Sequence, residues 1–181
     1  MRFRFAAWII LGLIAVIAAA AVIIHRHNEQ VAEERLRAAF PGDSKAILDH
    51  ASQVELYSLC PMIDPCMDTI AMTGKSKGKF HDVEVLGKTV VTGNRKAALL
   101  SALYHGIAYN DHNNAACFNP RHAIHCVQGK QTIDVVICFQ CENVDTYVNG
   151  QLASHDAIIS KDSKGIFNQV LKEAGIPFSM P

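Results

Sequence analysis

The stretch Arg121–Cys141, RHAIHCVQGKQTIDVVICFQC, decides the fold. Two runs rich in β-branched and apolar residues, Arg121–Val127 and Thr132–Gln140, flank the turn residues Gln128-Gly129-Lys130-Gln131, the pattern of a β-hairpin. With Gly129-Lys130 as a two-residue turn, Arg121 lies opposite Cys138 and His122 opposite Ile137. His125 then faces Asp134, and Cys126 faces Ile133. Side chains alternate along a strand. This register therefore puts His122, Cys126 and Cys141 on one face and Arg121, His125 and Cys138 on the other. The run IDVVICF is nearly all apolar, which suits a strand covered on both faces.

Working outward, Val144–Val148 pairs next and ends at the Asn149-Gly150 turn signal, and Ala157–Ser160 adds an edge strand. Upstream, Gln53–Leu59 alternates as a strand and His81–Val91 reads as another. Between the strands, Thr92-Gly93-Asn94 turns into a helix over Arg95–Ala108, with Leu99, Leu100, Leu103 and Ile107 as its buried stripe. A short helix, capped by Asp43 or Ser44, runs through Leu48. At the far end, Asp162 or Ser163 caps a helix whose apolar face is Ile166, Phe167, Val170, Leu171 and Ala174. Gly175 suits its left-handed end, and Pro177 stops it. The sum is an α+β fold: a mainly antiparallel sheet with packed helices, preceded by one N-terminal transmembrane helix.

That first helix is read from Phe5 to Ile24, 20 positions without a charge. At about 1.5 Å per residue it reaches about 30 Å, the thickness of a hydrocarbon core. Arg2 and Arg4 precede it and Trp8 sits near its start, features that place the N-terminus in the cytoplasm. Arg26, Arg35 and Arg37 beyond the span pull the other way. Ala18–Ala21 would suit a signal peptidase, but Val22, Ile23 and Ile24 continue the apolar run past them, which fits a retained anchor. The expected organisation is a cytoplasmic tail over residues 1–4, a signal-anchor over 5–24, a stalk helix and linker over 25–42, and one extracytoplasmic domain over 43–181. The membrane, met through residues 5–24, is thus the first partner. Lysine plus arginine number 17 and aspartate plus glutamate 17, so no basic field points to nucleic acid. A small-molecule or protein ligand is left unspecified.

Chemistry concentrates in Cys117, Arg121, His122, His125, Cys126, Cys138 and Cys141. Three readings compete. Thiolate and imidazole from Cys117, His122, Cys138 and Cys141 suit zinc or copper. The register weakens this, because Cys138 and Cys141 are three apart and face opposite sides of a regular strand. Outside the cytoplasm, disulfides lead: Cys60 with Cys66, and Cys117 with Cys138 or Cys141. Thiol catalysis is the third reading, but a redox Cys-x-x-Cys ordinarily opens a helix and this one ends a strand. Arg121 and His122 are also candidates for binding an anionic ligand, against the plainer role of an arginine tying a loop to Asp134 or Glu142. His105 lies off the leucine stripe, and His112 and His155 are in loop-like sequence. The GKSKGK run at 74–79 lacks the glycine a phosphate-binding loop needs five positions before Gly74, where Thr69 stands.

The segments CFNPRHAI and VVICFQC, with VELYSL, VLGKTVV and FNQVLKEAGIP around them, resemble a group of uncharacterised bacterial proteins, secreted or membrane-anchored, that carry a CF-x-PRH-x-I … ICF-x-C signature. The resemblance implies that Cys117, Pro120, Arg121, His122, Cys138 and Cys141 are the shared positions. It brings no activity with it, and the expectation is a non-enzymatic binding or structural module.

Overall fold

The computed structural model describes residues 2–61, 66–67, 70, 77–110 and 117–179, with the backbone alone for 2–11 and 156. The chain divides into two compact units, Met1–Glu34 and Arg35–Pro181. The first unit is helical and belongs to helix α1 (Arg2–Ala39). Leu13, Ile14, Val16, Ile17, Val22, Ile23 and Ile24 are all exposed on it. Among the described residues no helix is long and apolar enough to cross a membrane; the first seven side chains of the Phe5–Ile24 stretch lie outside the described ones.

The second unit is built on the hairpin. Strands β4 (His122–Gln128) and β5 (Gln131–Cys138) pair in the register set by the Gly129-Lys130 turn, with His122 opposite Ile137, His125 opposite Asp134 and Cys126 opposite Ile133. β6 (Asn143–Val148) and β7 (Gln151–Ile158) form a second hairpin, with positive φ at both Asn149 and Gly150. On the other side of β4 lie β1 (Gln53–Cys60), β3 (Val83–Val90) and the short β2 (Lys79–Phe80). The seven strands make one antiparallel sheet in the order β2-β3-β1-β4-β5-β6-β7.

Three helices, α2 (Ser44–Asp49), α3 (Gly93–Ala108) and α4 (Lys164–Glu173), bury their apolar residues on one face of this sheet. Val54 and Leu56, Ile124 and Cys126, and Ile133, Val135 and Ile137 meet Ile47, Leu48, Leu99, Leu103, Ile107, Phe167 and Leu171. The opposite face carries a smaller cluster of Leu59, Val85, Ala123 and Val136, with Tyr57, Phe80 and Tyr147 against it. β5 is therefore covered on both faces, which accounts for its nearly all-apolar run.

The helix ends follow local chemistry. Gly175 sits at φ 68°, with its N–H on Lys172 O and the Ile176 N–H on Leu171 O at 2.9 Å. These are the two bonds of a Schellman cap, which asks for a residue free of Cβ strain at this position. α3 meets the segment before α4 at Gly106, where Ser160 N–H donates to Gly106 O at 2.9 Å and Ser163 Oγ donates to Ala102 O at 2.7 Å. A Cβ on Gly106 would collide with Ser163 Oγ and crowd Ile159 Cγ1 at 3.0 Å. In an open helix Gly→Ala gains roughly 0.5–1 kcal/mol. Here Gly106→Ala is expected to cost about 1–2 kcal/mol net, since overpacking outweighs the helix gain. Chemical denaturation of the variant beside the wild type measures it.

Four expectations shift. β5 ends at Cys138 rather than Gln140, because residues 139–142 turn, with Glu142 in the left-handed region at φ 58°. β3 begins at Val83, because His81 and Asp82 (φ 46° and 65°) turn the chain back from β2. β7 starts at Gln151, tight against the Asn149-Gly150 turn, instead of at Ala157. Ile166 and Ala174, placed on the apolar face of the C-terminal helix, are exposed. GKSKGK falls partly, and His112 wholly, outside the described residues.

Candidate functional site

Two groups of polar side chains stand out, both set by the β4–β5 hairpin. The first is a cysteine corner at the Cys138 end of the sheet. Arg121 leads into β4 between β1 and β5: Leu59 N–H donates to Arg121 O at 2.9 Å and Arg121 N–H to Ile137 O at 3.2 Å. Its guanidinium donates through Nη1 to Gln140 Oε1 at 2.7 Å and through Nε to Ser179 Oγ at 3.1 Å. Arg121 thereby ties the Cys138–Cys141 turn to the C-terminal segment. Because the chain turns from Phe139 onward, Cys138 and Cys141 come to a Cα–Cα distance of 5.3 Å and are disulfide-bonded. The expectation that they face opposite sides of a strand fails for that reason. Both are buried, at 0% and 1% exposure. The Cys141 N–H donates to Cys138 Sγ at 3.1 Å. Cys117, expected to pair with Cys138 or Cys141, is instead an exposed free thiol because those two pair with each other; its Sγ lies 3.1 Å from Cys141 Sγ.

A second disulfide joins Cys60, buried at the end of β1, to Cys66. Cys126 is a buried thiol on the helix side of the sheet, and burial raises it to about 12, so it stays protonated.

His122 takes the face opposite Arg121. It packs edge-on against Phe139 and Phe167, with Nε2 2.8 Å from Asn168 Oδ1. Among the described residues its Nδ1 meets no hydrogen-bond partner, and neither does Oγ of Ser58, its cross-strand neighbour. Burial holds the imidazole down at about 4; the Asn168 contact opposes that, while Lys164 and Arg121 add to it. Both candidate side chains are engaged within the fold, Arg121 with Gln140 and Ser179 and His122 with Asn168. Among the described residues no group of three His, Cys, Asp or Glu side chains could hold a metal ion.

The second group crosses the face of the sheet away from the helices. Asp134 receives His125 Nδ1 on Oδ1 at 2.5 Å and His81 Nε2 on Oδ2 at 2.8 Å. Two strands away, Glu55 is met by Lys88 Nζ and by the Tyr57 hydroxyl, each at 2.9 Å. Burial pushes the Glu55 carboxyl upward, but these bonds and the Lys88 charge outweigh it and hold it below the ordinary range. Aromatic rings wall the group: His81 stacks on Tyr147 at 3.8 Å and Tyr57 on Phe80 at 4.4 Å. The His125–Asp134 pairing was legible in the register. His81 was not, since it reads as strand and lies in a left-handed turn.

No family model, curated protein or solved structure matches the chain.

Proposed function

We propose that this chain is a membrane-anchored, extracytoplasmic domain that works as a binding module. The observation that carries the reading is the pair of disulfides, Cys60–Cys66 and Cys138–Cys141, in a chain whose residues 5–24 are 20 uncharged positions of helix. Disulfides persist in oxidising compartments. A stretch of that length suits a bilayer core, with Arg2 and Arg4 on the cytoplasmic side. The resemblance to secreted and anchored bacterial proteins supports the same side.

The surface best suited to binding is the open sheet face. There Glu55–Lys88 and His81–Asp134–His125 are locked in their own hydrogen bonds beside Tyr57, Phe80 and Tyr147. Mutually paired charges flanked by stacked rings make a rigid patch that loses little side-chain freedom when a ligand docks.

The experiment is a pair of reporters fused after Pro181, one active only in the cytoplasm and one only outside it, combined with alkaline extraction of the membranes. The expected result is activity of the outside reporter and a protein that stays with the membrane fraction. Activity of the inside reporter, or release by alkali, would sink the placement.

A further inference from the structure

We infer that Cys117, Cys138 and Cys141 form a thiol–disulfide exchange site, in which the exposed Cys117 carries oxidising equivalents from the buried Cys138–Cys141 bond to a polypeptide bearing two thiols. This goes beyond the binding reading and stands on separate observations.

The first observation is accessibility. Cys138 and Cys141 are 0% and 1% exposed, so a protein thiol cannot approach them, whereas Cys117 is exposed. The second is distance. Cys117 Sγ lies 3.1 Å from Cys141 Sγ, within the roughly 3–3.5 Å of a near-attack arrangement. The third is the leaving group. Cys138 Sγ already accepts the Cys141 N–H at 3.1 Å, and a hydrogen bond to a sulfur strengthens when that sulfur becomes a thiolate. Attack at Cys141 with departure of Cys138 is therefore the favoured direction.

The exchange balances as follows. Cys117 loses its proton and its thiolate attacks Cys141 Sγ. The Cys117–Cys141 bond forms, the Cys138–Cys141 bond breaks, and the electron pair leaves on Cys138, which takes up a proton. No net oxidation has occurred, but the disulfide now includes an exposed sulfur. A substrate thiolate attacks Cys117 Sγ, forming a mixed disulfide and releasing Cys141 as thiolate. The second substrate thiolate attacks the substrate sulfur of that mixed disulfide, closing the substrate's own bond and returning Cys117. Two electrons have passed from the substrate dithiol to the protein disulfide, and the two substrate protons end on Cys138 and Cys141.

The test uses the full chain, oxidised, in detergent micelles, with a short synthetic peptide containing two cysteines as the probe. The wild type is expected to oxidise the peptide stoichiometrically. Cys117→Ser is expected to slow this at least tenfold while peptide mapping still finds the Cys138–Cys141 bond. Cys138→Ser is expected to hold a Cys117–Cys141 bond in the same mapping. Cys126→Ala, remote and buried, should match the wild-type rate. Alkylating Cys117 in the folded wild type reproduces the Cys117→Ser block without depending on the variant's folding. The proposal is overturned if the wild type leaves the peptide reduced, if Cys117→Ser or alkylated protein reacts at the wild-type rate, or if Cys138→Ser leaves both Cys117 and Cys141 open to alkylation. Because all of this is read on purified protein, its failure is separate from a failure of the membrane placement.

Discussion

Phe167→Ala is expected to remove about 3–5 kcal/mol of stability, the usual cost of truncating a buried aromatic to a methyl group. Phe167 is fully buried on α4 and touches two other rings edge-on, Phe139 at 5.0 Å and His122 at 5.8 Å between centroids. Each such pair adds to the area term. Phe139 lies inside the Cys138–Cys141 turn, so the cavity left behind would open directly under the disulfide. Domains of this size are stable by only roughly 5–15 kcal/mol in total, and the variant should be close to unfolded at physiological temperature. Denaturant unfolding followed by tyrosine fluorescence or circular dichroism gives the figure. A loss below 1 kcal/mol would mean that α4 does not pack as described.

The second large effect is an acid-side loss centred on His122. Burial lowers its folded-state value from the ordinary 6.5 to about 4. The unfolded chain therefore binds a proton between those two values and the folded chain does not. Stability thus rises with pH through this window. Stated in the other direction, the domain keeps its full stability above about pH 6.5 and loses about 3 kcal/mol as the pH falls to about 4. His122→Phe removes the titrating group and should flatten that slope while leaving the neutral-pH fold in place. Urea midpoints at a series of pH values separate the two proteins. If both lose stability in parallel between pH 6.5 and 4, the acid response belongs to groups other than His122.

Much of the sheet was legible because one turn fixes its register. Once Gly129-Lys130 is taken as the loop, strict alternation dictates that His125 meets Asp134 and Cys126 meets Ile133, and the pairing follows. The helix stripes were readable for the same reason, since Leu99, Leu103 and Ile107 recur at helical spacing and are all buried. What escaped was backbone geometry that residue type does not announce. Glu142, His81 and Asp82 adopt positive φ without being glycine, and each ends or starts a strand where the apolar pattern runs on. The cysteine corner depended on where the strand stops. With a strand through Gln140, the two sulfurs diverge; with a turn from Phe139 onward, they meet. The His81–Asp134–His125 group depended on the positive φ at His81, because its first histidine arrives from a turn rather than from the register.

The two disulfides close loops with sequence separations of only 6 and 3 residues. Neither one ties distant parts of the chain together, so neither acts as a mechanical strap on the architecture. Cooperativity rests instead on the apolar layer between α2–α4 and the sheet. Opening Cys138–Cys141 frees only a short loop, and it reaches that layer through Phe139, which packs on Phe167. The redox state of the corner and the packing of the core are therefore coupled through that ring.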